Sequence, residues 1–175
     1  MCSGYEKRGI LIALGANLPS ARFGPPRPTL EAALEMLPER QIQVVACSSW
    51  YESAPVPRDD QPWFVNGVLK AESTLPPGAV LRALHEIEAG LGRVREGTAV
   101  NAPRAADLDL LDDHGLITGE RDWPRLPHPR MHERAFVLLP LAEIAPEWRH
   151  PVYGLTAEAM LERLEGEQEC YRLSA

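Results

Sequence analysis

Cysteine is scarce in this sequence, and no hydrophobic run is long. The chain has 175 residues and three cysteines, Cys2, Cys47 and Cys170, which lie far apart. Their spacing provides neither a disulfide framework nor a zinc site, so we expect reduced thiols and a cytoplasmic location. No uncharged apolar run reaches the roughly 18 residues that a membrane helix requires, and we expect no membrane partner.

Positive charge is also in short supply. The 18 lysines and arginines are outnumbered by 25 aspartates and glutamates, which gives a net charge of -7. Proteins that bind the nucleic-acid backbone gain affinity from a basic face, so we expect no nucleic-acid partner. The balance does not exclude a nucleotide ligand, because a few arginines can hold a triphosphate locally.

The length fits a single domain that spans residues 1–175 around one core. We expect residues 1–8 and 166–175 to form flexible tails, as chain ends commonly do. Residues 9–16 follow a basic pair and form a short apolar run, but no clear cleavage site follows them. We therefore interpret this run as a buried strand and not as an export signal.

Hydrophobic periodicity predicts strands that alternate with helices. The predicted strands are Ile10–Leu14, Gln41–Tyr51, Phe64–Glu72, Ala106–Leu111 and Leu116–Thr118. The predicted helices are Leu30–Leu37 after an N-cap at Thr29, Val80–Leu91, His132–Leu139 ending near Pro140, and a last helix that Thr156 caps and that reaches Leu164. The order β-α-β-β-α-β is typical of a ferredoxin-like α+β fold with a mainly antiparallel sheet.

The motif Asp107-Leu108-Asp109 gives the sharpest indication of chemistry. Side chains two residues apart on a strand share a face, and a rise of about 3.3 Å per residue puts their Cα atoms about 7 Å apart. Two carboxylates at this distance can share Mg²⁺, which usually takes one or two protein carboxylates together with substrate phosphates. The motif is short, however, and acids that simply face water on an exposed strand give the same pattern.

Arginines and histidines flank this pair on both sides. The upstream stretch carries Arg93, Arg95 and Arg104, and the downstream stretch carries His128, Arg130, His132 and Arg134. Guanidinium groups match phosphate oxygens in a bidentate way, so carboxylates between two such groups suit a metal–triphosphate site. Taken singly, each arginine is equally explained as a solvated surface charge, and His128 as a capping or core residue.

A second set of residues could bind a flat molecule. Phe64 and Asn66 alternate on one predicted strand, and Phe136 lies on a predicted helix. A buried asparagine needs hydrogen-bond partners, so Asn66 could bind the amide edge of a heterocycle while the aromatic rings stack on its faces. The ordinary alternative is that both phenylalanines belong to the core.

Together, these motifs resemble those of the 6-hydroxymethyl-7,8-dihydropterin pyrophosphokinase (HPPK) family of folate biosynthesis. The matching segments are LGANL at 14–18, SWYESAP at 49–55, QPWFVN at 61–66, Glu88 with GRVR at 92–95, APR at 102–104 with DLD at 107–109, and PHPRM at 127–131 through Arg134 and Phe136. They follow the family order from about Gly9 to Leu164 and cover nearly the whole chain. Their combination is far more specific than any one of them.

The resemblance implies a three-layer α-β-α sandwich that acts as a monomer. It implies transfer of the β,γ-diphosphate of ATP to the hydroxymethyl oxygen of the pterin, with release of AMP. Two Mg²⁺ ions would bind to the catalytic Asp107 and Asp109. By matching position, ATP would contact His85, Glu88, Arg93, Arg95, Arg104, His128 and Arg134, of which Arg95 and Arg104 would act in catalysis on a mobile loop. The pterin would contact Ser53, Ala54, Val56, Phe64, Asn66 and Phe136, with the two rings stacked on its faces.

Three other functions are compatible with parts of this pattern. A different metal-dependent phosphotransferase or nucleotidyltransferase would share the aspartate pair without needing Phe64, Asn66 and Phe136. A nucleotide-sensing module would bind ATP without turnover. A kinase domain docked to another folate enzyme would contain the same site. The chain also departs from the common family pattern at Ala16 and Phe64, and in having no tryptophan within residues 100–106.

Overall fold

The computed structural model describes residues 7–92 and 105–174, and in this part of the chain a six-stranded sheet forms the middle layer. Its strands are β1 (Arg8–Ala16), β2 (Ile42–Cys47), β3 (Tyr51–Ser53), β4 (Phe64–Ser73), β5 (Asp107–Asp113) and β6 (Cys170–Arg172). Each of these strands pairs antiparallel with its neighbours. The predicted antiparallel sheet is therefore confirmed.

The two longest strands, β1 and β4, form the centre of the sheet. They pair along their whole length, from Arg8 opposite Ser73 to Ala16 opposite Val65. The order across the sheet is β5-β1-β4-β3-β6, and β2 also pairs with β4. A Cβ atom on Gly67 would lie 2.9 Å from the ring of Trp50, so the glycine lets this indole approach the backbone of β4 between β2 and β3.

Helices cover both faces of the sheet. They are α1 (Pro26–Met36), α2 (Pro77–Gly90), α3 (Ala135–Ile144) and α4 (Ala157–Leu161). Helices α1 and α2 share a buried core with one face, which includes Ile12 and Leu108, whereas α3 and α4 share a second core with the other face, which includes Val68 and Leu111. This is the three-layer sandwich that the resemblance implies. Within the described residues, no helix has both the length and the apolar character needed to cross a membrane.

Two predictions about turns and caps are wrong. Helix α1 begins at Pro26, because proline is well placed in a first turn. Thr29 is therefore inside the helix, where its hydroxyl donates to the carbonyl of Pro25 at 3.0 Å. No strand forms at residues 116–118; the N–H of Thr118 instead closes a loop by donating to the carbonyl of Leu126 at 2.9 Å.

The ends of the last two helices also differ from the prediction. Helix α3 continues through Pro140 to Ile144, so the proline does not end it. Helix α4 stops at Leu161 and not at Leu164. The predicted N-cap at Thr156 is confirmed, because its hydroxyl accepts a hydrogen bond from the N–H of Ala159 at 3.2 Å.

The C-terminal residues differ from the expected flexible tail. Strand β6 pairs with β3, from Tyr51 opposite Arg172 to Ser53 opposite Cys170. Just beyond it, the N–H of Leu173 donates to the carbonyl of Trp50 at 2.8 Å. The strand has 3 residues, which is too short for alternation to predict it from sequence.

A cluster of rings joins the residues just before α3 to the connection between α3 and α4. The side chain of His150 stacks on Tyr153 and meets the rings of His132 and Trp148 nearly edge-on. Its Nδ1 accepts the N–H groups of Val152 and Tyr153, and the residue is 3% exposed. Burial, with the nearby His132 as a second cause, lowers the pKa of His150 to about 4.

We expect the His150→Asn variant to lose less stability in acid than the wild type. His150 protonates near pH 6.5 in the unfolded chain but only near pH 4 in the folded protein, so the wild type loses stability as the pH falls through this window. The imidazole should account for roughly 2–3 kcal/mol of unfolding free energy there, while asparagine still offers an acceptor to the backbone. Urea unfolding at pH 7 and pH 4 measures the difference, and equal losses in both proteins would contradict the assignment.

Candidate functional site

The aspartate pair lies on β5, where Asp107 is opposite Gly15 and Asp109 is opposite Ala13. The side chain of Leu108, between them, is fully buried in the core beneath α1 and α2. Alternation along a strand therefore directs both carboxylates to the α3 side of the sheet. Both residues are partly exposed. The structure thus brings two carboxylates onto one accessible face, as the spacing predicted.

A buried carboxylate supports this strand from the side. Glu88 is 0% exposed near the end of α2, and its Oε1 accepts a hydrogen bond from the N–H of Leu108 at 2.7 Å. Strand β5 is at the edge of the described sheet, where a backbone donor needs a partner from outside the ladder. Glu88 was predicted to line the nucleotide site; its position here is that of a group that fixes the backbone between Asp107 and Asp109.

His128 covers the same edge further along. Its backbone N–H donates to the carbonyl of Leu111 at 2.8 Å. In its ring, Nδ1 accepts the backbone N–H of Arg130 at 3.3 Å, and Nε2 lies 4.0 Å from Oδ2 of Asp109. Burial lowers the pKa of His128 to about 4, and the charges of Arg134 and Arg130 act in the same direction. A neutral ring whose Nδ1 accepts carries its proton on Nε2. His128 therefore presents a hydrogen-bond donor, and not a full positive charge, to the aspartate side.

The N-terminus of α3 faces this region. Arg134 directly precedes the helix, and its guanidinium carbon lies 5.5 Å from the centre of the Phe136 ring. Its charge helps to lower the pKa of His128, whose Nε2 lies 4.0 Å from Oδ2 of Asp109. Because the N-terminus of a helix carries partial positive charge, helix and side chain both favour an anion on this side of the sheet.

A row of residues crosses the sheet from the aspartates to Asn66. Gly15 on β1 is opposite Asp107 on one side and Asn66 on the other. Asn66 is 3% exposed, and its Nδ2 donates to Oγ of Ser53 at 2.9 Å. A Cβ atom on Gly15 would lie 3.2 Å from Oδ1 of Asn66, so the glycine makes room for this amide. The amide is therefore held in a fixed orientation two strands away from Asp107.

Residues 54–63 connect β3 to β4, and we refer to them as the 54–63 loop. At its far end, Nδ2 of the buried Asn17 donates to the carbonyl of Pro62 at 3.1 Å. At its near end, the N–H of Ala54 donates to the carbonyl of Glu169 at 3.1 Å. Both ends of the loop are therefore fixed by residues outside it.

The predicted aromatic pair lies on the α3 side of the sheet. Phe64 is the first residue of β4 and shares a face with Asn66 and Val68, the latter buried in the core with α3. Phe136 lies in the first turn of α3 and packs against that same core. Both rings are half-buried, and Val56 in the 54–63 loop is 47% exposed. The loop and the N-terminus of α3 therefore flank the region that was predicted to take a flat ligand.

The other predicted site residues are on α2 or beyond the described chain. The ring of His85 lies 6.4 Å from that of Trp123, and the guanidinium of Arg82 lies over the same indole at 5.7 Å. Arg93, Arg95 and Arg104 lie outside the described residues.

Sequence reasoning missed several residues that shape this region. Gly15 and Asn17 belong to a motif that was noted, but neither was given a role. Glu143 was not noted at all, although it accepts hydrogen bonds from the N–H and hydroxyl of Ser49 and from the hydroxyl of Tyr51, at 3.0, 2.8 and 2.9 Å. These bonds hold α3 against the sheet. No local pattern could reveal them, because the partners are 94 and 92 residues away in the chain.

Comparison with known proteins adds a family to this geometry. The sequence model of 7,8-dihydro-6-hydroxymethylpterin-pyrophosphokinase (HPPK) matches residues 11–146. A 2-amino-4-hydroxy-6-hydroxymethyldihydropteridine pyrophosphokinase from Pseudomonas aeruginosa is 44% identical over 149 residues, which cover 81% of this chain and 83% of the relative. A protein of the same name from Synechocystis is 36% identical over 162 residues, which cover 90% of this chain and 76% of the relative.

A solved structure agrees with the fold. The chain is similar to a Plasmodium falciparum HPPK-DHPS triple mutant, with a TM-score of 0.68 and 14% sequence identity. The match covers 93% of this chain and 45% of that one, so this chain spans less than half the length of that protein. At this identity, the likeness supports the α+β ferredoxin-like architecture alone.

We expect the Glu88→Leu variant to be less stable than the wild type by about 1–3 kcal/mol, because the buried N–H of Leu108 loses its acceptor. Glu88→Gln should lose less, since an amide oxygen can accept the same bond. Urea unfolding measures both. Glu86→Gln is the matched control on the same helix: this side chain is 63% exposed and pairs with Arg40, so its change should stay within about 0.5 kcal/mol. Equal losses at positions 86 and 88 would refute the supporting role.

Proposed function

Since this chain belongs to the 7,8-dihydro-6-hydroxymethylpterin-pyrophosphokinase family, we propose that it transfers diphosphate from ATP to 6-hydroxymethyl-7,8-dihydropterin and releases AMP. Family membership makes it a pyrophosphokinase of folate biosynthesis. The finer assignments, namely ATP as donor, Mg²⁺ as cofactor and a monomer as the active form, rest on the arguments that follow and on the family resemblance.

One observation carries the proposal: the row from Asp107 through Gly15 to Asn66. At about 4.8 Å per strand, it separates the carboxylates from the amide by about 10 Å. A metal–phosphate group at one end and a heterocycle at the other could therefore meet between them. A phosphotransferase that acts on a different acceptor would not require a buried, oriented amide at this distance from the aspartates.

The aspartate pair fits Mg²⁺. Carboxylate oxygens are the hard donors that this ion prefers, and both side chains are partly exposed on one face. Among the described residues, no group of three or more His, Cys, Asp or Glu side chains could hold a metal, so water and phosphate oxygens would complete the coordination, as is usual for Mg²⁺. Asp107 and Asp109 would hold it, with two ions expected from the resemblance, and when bound it would neutralise phosphate charge.

The nucleotide phosphates would lie between β5 and the N-terminus of α3. His128 offers an N–H donor there, and Arg134 offers a charged fork that suits phosphate oxygens. Arg93, Arg95 and Arg104 are proposed by matching position to complete this set. His85 would contact the nucleotide, whereas we expect Glu88 to act through the backbone of β5.

The pterin would lie over the Asn66 end of the row. The amide of Asn66 and the hydroxyl of Ser53 already form one hydrogen-bonded unit, which suits the alternating donors and acceptors of a pterin edge. The backbone at Ala54 and Val56 would add further polar contacts. Phe64 and Phe136 would stack on the two faces of the ring, since both rings are on the α3 side and half-buried.

The proposed reaction is a displacement at the β-phosphorus of ATP. The hydroxymethyl oxygen forms a bond to this phosphorus, and the bond from the phosphorus to the oxygen that bridges to the α-phosphorus breaks. AMP leaves with the bridging oxygen, and the hydroxyl proton passes to solvent. Reactions of this kind depend mainly on positioning and electrostatic stabilisation, which are the two tasks that these residues could perform.

The direct test is to incubate the protein with ATP, Mg²⁺ and 6-hydroxymethyl-7,8-dihydropterin and to separate the nucleotides. We expect AMP and pterin diphosphate in equal amounts. The Asp109→Asn variant should form AMP at no more than about one hundredth of the wild-type rate, because charge stabilisation by the metal is worth several kcal/mol. Glu35→Gln, which changes an exposed acid on α1, is the control and should keep the wild-type rate.

Two results would overturn the proposal. Formation of ADP in place of AMP would mean that a single phosphoryl group is transferred. No nucleotide product at all, with ATP bound, would indicate a sensing module. A normal rate in Asp109→Asn would leave the reaction standing but would remove the metal assignment.

We expect the Asn66→Ala variant to raise the KM for the pterin about tenfold or more, because buried polar groups of the substrate lose a partner. The KM for ATP should change little, since the nucleotide would lie at the other end of the row. Steady-state kinetics with each substrate varied in turn measures both values. Lys70→Ala is the control on the same strand, where the side chain is exposed; parallel changes in both KM values of Asn66→Ala would contradict the proposed location of the pterin.

A further inference from the structure

The C-terminal residues 168–173 contact both sides of the proposed pterin site, and we refer to them as the C-terminal segment. This segment lies outside residues 11–146, which match the family model. It was expected to be part of a flexible tail, yet it contains β6 and is paired along β3. Its contacts are more extensive than those needed to cover a sheet edge.

On one side, the C-terminal segment holds the 54–63 loop. The carbonyl of Glu169 accepts the N–H of Ala54 at 3.1 Å, and its carboxylate forms a salt bridge with Arg58. The ring of Tyr171 stacks on that of Trp63, with 6.1 Å between centroids and an angle of 12° between planes. Trp63 directly precedes Phe64. The stack therefore fixes the end of the 54–63 loop that adjoins Phe64, the first proposed stacking ring.

On the other side, the same segment holds the start of α3. Oε1 of Gln168 accepts the N–H of Ala135 at 2.9 Å, and its Nε2 donates to the carbonyl of Glu133 at 2.8 Å. These two bonds span Arg134 and lie next to Phe136, the second proposed stacking ring. Because the first N–H groups of a helix have no partner within the helix, Gln168 also serves as a cap that the sequence around α3 does not provide.

A third set of contacts joins the C-terminal segment to the far end of α3 and to the residues just before β3. Nε of Arg172 donates to Oγ of Ser49 at 2.9 Å, and its guanidinium lies 3.8 Å from the carboxylate of Glu143. Glu143 belongs to α3, whereas Ser49 lies just before β3. One short segment thus bonds to the loop, to the sheet and to both ends of α3.

We propose that the C-terminal segment sets the separation between Phe64 and Phe136, and that Gln168, Glu169 and Tyr171 are positioning residues for the pterin. The inference rests on the proposed function, because it concerns the gap that the pterin would fill. Neither loop nor helix fixes this gap alone: the loop has no regular structure, and the two elements are bridged through residues 168 and 169. Preorganising such a gap favours binding, since less order must be gained when the ligand enters.

The simpler explanation is that β6 only covers the edge of β3 against unwanted pairing. That role predicts lower stability or solubility when β6 is removed, with both substrates affected alike. The positioning role predicts a selective effect on the pterin when Tyr171 is lost, because this ring contacts the 54–63 loop, whereas the nucleotide phosphates would lie between β5 and the N-terminus of α3. The ratio of the two KM values therefore separates the explanations.

The first test is a truncation after Glu169, which removes β6 but retains Gln168 and the carbonyl that accepts from Ala54. We expect the KM for the pterin to rise about tenfold, as the stack with Trp63 and the pairing with β3 are lost, while the KM for ATP stays within about twofold. Truncation after Leu173 is the matched control and should behave as the wild type. An unchanged KM for the pterin after truncation at Glu169, or an equal rise in the KM for ATP, would overturn the inference.

Point variants keep the inference testable if the truncated chain fails to fold. Tyr171→Ala should raise the KM for the pterin about threefold to tenfold, which corresponds to the loss of one aromatic pair, and Tyr171→Phe should restore the wild-type value because it keeps the stack. Tyr171 is 57% exposed, so neither change should unfold the protein. Identical pterin KM values for the Ala and Phe variants would contradict the positioning role of this ring.

The wild-type protein separates this inference from the proposed function. If it forms AMP only when the pterin is present, the function stands, and the variants then decide the role of the C-terminal segment. If the wild type does not use the pterin, the proposed function fails and the inference fails with it.

Discussion

Strand β1 is hydrogen-bonded on both sides, to β5 and to β4, and this double pairing sets the geometry of the whole site. It places Asp107, Gly15 and Asn66 in one row. Among the described candidate residues, Ser53 and Phe64 lie on strands of the same sheet, and Glu88 and His128 are hydrogen-bonded to β5. Strand β1 leaves room for the amide of Asn66 because Gly15, directly opposite on β1, has no side chain. A larger residue would have to displace the amide or the strand.

Three buried polar side chains hold this geometry, and each of the three is hydrogen-bonded. Glu88 binds the backbone of β5, Asn66 binds Ser53, and Asn17 binds the end of the 54–63 loop. An unpaired buried donor or acceptor costs about 1–3 kcal/mol, so each of these contacts opposes movement of the element it joins. The site is therefore built on a rigid sheet, while the elements that cover it, the loop and the start of α3, are tied in from outside by the C-terminal segment.

Much of this could be predicted from the sequence, because alternation and helical spacing act locally. The strand that carries Asp107 and Asp109 and the strand that carries Phe64 and Asn66 both follow from such patterns, whereas the three-layer arrangement was implied by the family resemblance. The errors have physical causes: Pro26 competes with Thr29 for the start of α1, and Pro140 is accommodated within α3. Gln168, Glu143 and β6 could not be predicted, because their partners lie 33 to 123 residues away and no local pattern encodes such contacts.

The irregularity in β5 limits how the length of this strand can vary. Ile12 is opposite Leu110 and Leu11 is opposite Asp112, so Leu111 is the additional residue of a β-bulge. A strand that already contains one bulge has absorbed an insertion there, between the aspartate pair and the far end of β5. An insertion or deletion of one residue on the other side of the bulge would turn both carboxylates into the core. A substitution in this strand can therefore weaken the site by degrees. The insertion or deletion of one residue between positions 107 and 110 would instead remove the site in a single step.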